Sequence, residues 1–237
     1  MKRFLISAAI MSIVITHDAY AGGGGGPVGA TEYTQIANNA QLLLMVARQT
    51  DSLVEEVKTA QATLQSVQNL GNIDWSLAEP ALMQVFQASQ QALGVSYQMQ
   101  NIDQAFRDAY STYQTVQDFS SSYQGWTDNT MDSLKAVLRA ANIQSNNFAS
   151  ENMAMSYFSS LSNNAVGQTQ AIQAGNAISG QLIGQLQKMR QLQMAQMNAQ
   201  NAFMAHQVNT EAAAKAAFEN KIKIHQGGNN VQYNLGN

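Results

Sequence analysis

From Gln168 to Lys223 the chain runs without a proline, without a cluster of turn residues and with only thinly spread charge. Ala, Gln, Leu, Met and Lys dominate this stretch, and their summed helix preference outweighs the glycines near its start. Ile172, Gly175, Ser179, Leu182, Leu186, Met189, Gln193, Met197, Gln200 and Met204 recur at spacings of mostly three and four, which draws one stripe along one helix face. A helix of roughly fifty residues is about 75 Å long, several times the ordinary globular helix. A rod with a single apolar stripe must be covered by partners of comparable length. The remainder of the chain is expected to supply them.

One such partner is legible between residues 31 and 71. Thr31 reads as an N-cap with Glu32 in the first turn, Ile36 through Val67 keep the three-four rhythm, and Gly71 reads as the stop. A second is expected over 127–165, opened by Asp128 or Thr130 and carried by Leu134, Val137, Leu138, Ala141, Phe148, Met155, Phe158 and Leu161. The rod itself is assigned to 166–224. Residues 72–126 have a different texture, with capping-box spacing at Ser76-Leu77-Ala78-Glu79, Pro80 in the first turn, an interruption at Gly94 and many aromatic rings. The expected fold is therefore all-α: an elongated bundle of three long helices, with a small aromatic-rich helical appendage inserted between the first and second.

The ends frame this bundle. Met1-Lys2-Arg3, the apolar run Phe4–Ile15 and the small residues Ala19-Tyr20-Ala21 have the layout of a signal peptide, with cleavage between Ala21 and Gly22. The apolar run is shorter than the roughly 20 residues that span a bilayer, so the chain is expected to be exported, to the periplasm or beyond. Residues 22–30, with five consecutive glycines, read as a tether, and 225–237 as a polar tail. Cysteine is absent, so no disulfide can hold the exported chain together. Without Lys2, Arg3 and Asp18, the twelve basic and fifteen acidic residues become ten and fourteen, a net of minus four. That balance argues against a nucleic-acid surface.

No catalytic constellation emerges, and no cofactor or metal site is expected. His206 and His225 stand apart on a helix and in the tail, and no cysteine accompanies them. Glu55-Glu56 and Asp103 with Asp108 are the nearest approach to acid pairs, but neither spacing faces two carboxylates on one helix side, so solvated faces account for them. The glycine run lacks the Lys-Ser or Lys-Thr of a phosphate loop. Candidate partner-contact residues are the appendage rings Tyr97, Phe106, Tyr110, Tyr113, Phe119, Tyr123 and Trp126, although any single ring is better read as core. Candidate helix-packing positions are Gly175, Gly180, Leu182, Gly184, Leu186 and Met189, with the glycines read as points of close helix approach.

The phrases NNAQLLLMVARQTDSL in the first helix, NIDQAFRDAYSTYQ at 101–114 and QTQAIQAGNAISGQLIGQLQKMRQLQMAQMNAQ at 168–200 resemble the TrbJ family of conjugal-transfer proteins, relatives of the minor pilin of type IV secretion systems. The chain departs from that pattern in its glycine-rich start and longer tail. The resemblance implies a non-enzymatic periplasmic or extracellular subunit, forming homo-oligomers at a conjugative pilus. It also implies contacts with the major pilin, with an inner-membrane channel component or with the recipient cell. A periplasmic coiled-coil chaperone or scaffold is the alternative from the residues alone, and a peptidoglycan-acting enzyme a third.

Overall fold

A computed structural model describes residues 28–70, 73–115, 117–144 and 150–227, with side chains described from residue 38 to residue 223 within those spans. The expected leader with its cut at Ala21–Gly22, the glycine tether as far as Pro27, the Gly71 stop, Phe148 and the tail past Gly227 lie outside the described residues; the last three tether residues, 28–30, and Thr31, expected as the cap, are instead inside the first helix, which starts at Val28. Among the described residues the fold is all-α, with five helices and no strand. These are α1 (Val28–Gln68), α2 (Trp75–Ala109), α3 (Phe119–Ala140), α4 (Glu151–Leu161) and α5 (Ala165–Gly227).

The rod exists as α5, 63 residues and on the order of 95 Å long. Asn164 opens it, its Oδ1 accepting the Gly167 amide at 2.6 Å. Along its length α5 runs antiparallel to α1. Asn39 donates to Gln200, Asp51 pairs with Arg190 at 2.9 Å, and Asn176 donates to Gln68 at 2.8 Å. The expected stripe is the buried one: Ile172, Ser179, Leu182, Leu186, Met189, Gln193 and Gln200 are all buried.

Two expectations are corrected between the rods. Residues 75–109 form one long helix, and Gly94 does not interrupt it. A single helical glycine costs only about 1 kcal/mol, which the apolar face buried by α2 along α1 overrides. Its cap is Asp74, whose Oδ1 accepts the Ser76 amide at 3.1 Å, and not the Ser76 box. The segment 127–165, expected as one helix, is divided. α3 begins earlier, at Phe119, because Asp118 caps it through the Ser121 amide. It then ends at a Schellman motif: Asn142 adopts φ 58°, its amide reaches the Arg139 carbonyl at 3.0 Å, and the Ile143 amide reaches that of Leu138 at 2.8 Å. Ile143 and Leu138 close the motif by packing together in the core. Ser150 restarts the chain as α4 by accepting the Met153 amide.

The long helices are thus α1, α2 and α5, and the fourth side is covered by α3 and α4 in succession. A central core joins Leu53 and Val57 of α1, Val95 and Met99 of α2, Tyr123 and Trp126 of α3, and Leu182 and Leu186 of α5. A second core lies toward the start of α5, where Leu64, Leu82, Phe86, Phe158 and Ile172 meet.

The three helix-packing glycines separate in this frame. A Cβ on Gly175 would run into Leu82 and would lie 2.8 Å from Leu64 Cδ1, so this glycine marks a close approach of α5 to α1 and α2. At Gly180 the nearest group is Gln61 Nε2 at 3.7 Å, and at Gly184 nothing lies within 4 Å. Gly184→Ala therefore removes unfolded-chain entropy without a clash and is expected to stabilise by about 0.5–1 kcal/mol. Gly175→Ala forfeits that gain because two buried leucines must move. Paired thermal melts check the contrast; equal shifts would contradict it.

Candidate interaction surfaces

Of the seven candidate contact rings, only Tyr97 is on the surface, at 57% exposure on the outer face of α2. Phe119, Tyr123 and Trp126 are buried on the inner face of α3 and complete the central core. Their polar atoms are satisfied inside it. The Tyr123 hydroxyl donates to Gln196 Oε1 at 2.9 Å, and Trp126 Nε1 donates to the Gln185 carbonyl at 2.6 Å. Phe106, Tyr110 and Tyr113 form a separate aromatic nest with Phe203 and Met204, with ring centroids 4.8 to 6.1 Å apart. The aromatic region is not a separate appendage. It fills the space between α2, α3 and α5, because rings of this size bury much apolar area from few positions.

Several interior polar groups were not foreseen from the sequence. Asp103, expected on a solvated face, is fully buried at the junction of α2 with α3, where its Oδ2 accepts from Arg107 Nε at 2.9 Å and from Ser120 Oγ at 3.1 Å. The bond to Asp103 is the main cause of the raised Arg107 pKa. Arg107 lies four residues on from Asp103, the one sequence signal that could have indicated a pair. Gln185 and Gln196, which lie off the expected stripe, are buried beside its Gln193 and Gln200. Gln193 Nε2 donates to Thr50 Oγ1 at 2.8 Å, so part of the seam between α1 and α5 is polar. An amide at a helix-interface position fixes register at some cost in stability.

Burial also sets the response to alkali. Tyr113 is pushed up to about 12, first by burial and then by the charge of Asp103, and burial raises Tyr123 and Tyr157 in the same direction. Between about pH 10 and 12 the unfolded chain releases a phenolic proton that the folded chain keeps. For Tyr113 the contribution is intact below pH 10 and is lost as pH rises toward 12, at about 1.4 kcal/mol per pH unit, and Tyr123 and Tyr157 act in the same direction. Chemical denaturation across this range is expected to show the decline, and Tyr113→Phe to make it shallower.

A partly open apolar pocket of about 250 Å³ lies between α2, α3, α4 and α5, lined among others by Phe86, Leu138, Phe158 and Ile178, with Ser89, Gln90 and Lys135 as polar members. Walls of this kind can take an apolar group, and the Ser89 hydroxyl on them donates to the Phe86 carbonyl at 2.6 Å. Glu55 is exposed and paired with Lys58 at 2.8 Å, and His206 is exposed on α5. Among the described residues no group of three or more His, Asp or Glu could hold a metal ion, and no helix is long and apolar enough to cross a membrane.

Fold and surfaces together define an all-α bundle organised on very long antiparallel helices with a partly polar seam. No family model matches the chain, and no solved structure matches it. The conjugal transfer protein TrbJ of Rhizobium radiobacter is 27% identical over 217 residues, covering 83% of this chain and 80% of that protein. The probable conjugal transfer protein TrbJ of Sinorhizobium fredii (strain NBRC 101917 / NGR234) is 27% identical over 239 aligned positions, covering 92% of this chain and 90% of that protein. Over most of its length the chain is thus similar to conjugal transfer proteins named TrbJ, the family whose phrases its helices resemble.

Proposed function

We propose that this chain is a non-enzymatic subunit of a conjugative type IV secretion system, exported and acting as a minor pilin at the pilus tip or in pilus assembly. The observation that carries this reading is the similarity to proteins named as conjugal transfer proteins, extending over more than four-fifths of the chain. The rod architecture suits a part that works by helix-mediated contacts. Its partners on this reading are other subunits of the system, the major pilin and an inner-membrane channel component, together with the recipient cell surface. Because six of the seven candidate rings are committed to the core, these contacts fall to the outer helix faces, where Tyr97, Leu44 and Met45 are exposed.

An in-frame deletion tests the role. Transfer of a marked plasmid and the yield of sheared pili are expected to collapse, and to return with the full chain but not with one lacking residues 1–21. Normal transfer together with normal pili in the deletion strain would reject the proposal. Protein retained in the envelope and absent from pili would favour the scaffold.

A further inference from the structure

The stripe that α5 buries does not stop where the bundle stops. Gln193, Met197, Gln200 and Met204 continue at the same four-three spacing into Val208, Glu211, Lys215, Phe218 and Ile222. Yet every residue from Val208 to Lys223 is exposed, Phe218 at 64% and Ile222 at 40%. Among the described residues neither Glu211 nor Lys215 has an ion-pair partner. Three apolar side chains and two opposite charges, spread over about four turns, therefore share one uncovered helix face.

We infer that this segment of α5 pairs antiparallel with the same segment of a second copy, centred on Ala213. The pattern is self-complementary about that residue. Glu211 and Lys215 lie equally far on either side of it, as do Val208 and Phe218, and as do Met204 and Ile222. An antiparallel pair of heptad helices sets each residue of one seam position against the other seam position of its partner, and these three couples obey that rule. Glu211 of each copy then meets Lys215 of the other, twice, with a Val208–Phe218 couple on each side. Met204 is already covered by Phe106, Tyr110 and Tyr113 of its own chain, so Ile222 of the copy packs at the edge of that aromatic nest. Ala212 and Ala214, beside the axis, allow the backbones to approach closely.

The same residues disfavour the competing arrangements. A parallel pair would place Glu211 on Glu211 and Lys215 on Lys215. Sliding the antiparallel pair by one heptad sets Lys215 against Phe218 and Glu211 against Ile222, or Lys215 against Met204 and Glu211 against Val208. Only one register matches both charge and apolar character, and repulsion in the others supplies specificity. The inference stands independently of the conjugation reading, since it concerns association of the purified chain.

Sedimentation equilibrium of the exported chain over a concentration series tests it. The chain is expected to dimerise reversibly. Glu211→Lys and Lys215→Glu are each expected to weaken association more than about ten-fold, because each puts like charges in the seam. An equimolar mixture of these two variants is expected to recover it, because every lysine then meets a glutamate. Both changes lie on exposed helix, so unchanged helicity of each variant confirms that folding is not the cause. Since the chain has no cysteine, a single Ala212→Cys is expected to cross-link across the axis under oxidation. A monomer at all concentrations, single variants that associate like the parent, or a mixture that fails to recover would each overturn the inference. So would cross-linking through Phe218→Cys rather than Ala212→Cys, which signals a parallel pair.

Discussion

Leu186→Asp is expected to abolish the folded bundle at neutral pH, and Leu182→Asp to do the same. Both leucines are fully buried in the central core, where α5 meets α1, α2 and α3. Removing either side chain forfeits about 1.5–3 kcal/mol of burial. Placing a carboxylate among Leu53, Val57 and Met99 adds a larger penalty, since an isolated charge in such a site has neither water nor a partner. Together these approach the whole stability of an ordinary domain, about 5–15 kcal/mol. Far-ultraviolet circular dichroism and a thermal melt read the result. Retained helicity with an unchanged melting temperature would show that α5 presents another face to the core.

Trp126→Ala is expected to destabilise by about 3–5 kcal/mol, the usual range for emptying a buried aromatic site. The ring lies within the central core, and its Nε1 proton is given to a main-chain carbonyl of α5, so the residue ties α3 to the rod by both packing and a hydrogen bond. Trp126→Phe should cost less, because most of the apolar area returns and only the bond and part of the ring are lost. Tyr97→Ala, by contrast, removes an exposed ring and should change stability by less than about 0.5 kcal/mol. Urea denaturation of the three variants distinguishes the two roles open to these aromatics. If Trp126→Ala kept its stability while losing a partner, the ring would belong to a recognition surface after all.

The contrast between these two residues marks how far the sequence reaches. Trp126 and Tyr97 belong to the same aromatic-rich stretch, and nothing within that stretch separates them. Tyr97 faces outward because α2 is one continuous helix whose opposite face, with Val95, Ser96 and Met99, is taken by the core. Trp126 faces inward because α3 begins at Asp118, which sets the phase of every ring after it. Reading the helix start at Asp128 instead leaves Phe119, Tyr123 and Trp126 without a helical phase, and an exposed contact surface becomes a plausible home for them. The divided fourth side has the same origin. Asn142 is a permissible helix residue and also a permissible left-handed cap, and the packing of Ile143 onto Leu138 favours the cap.

Asp103 and the glutamines make the related point for polarity. A carboxylate or an amide on a helix is taken as solvated because burial without a partner is costly, yet the partners of Asp103 are four and seventeen residues away, and that of Gln196 is seventy-three away on α3. Such a bond cannot be read from a neighbourhood of a few positions.

By itself the sequence determined the helical class, the length of the rod, its buried stripe and the absence of disulfides, because composition and a 3.6-residue rhythm act within each segment. The tertiary structure alone decided which aromatics became core, where the fourth side breaks, which glycine marks a close approach, and that the stripe of α5 runs on into open solvent past Met204. Each of these depends on which distant surface a side chain meets, and on whether it meets one at all.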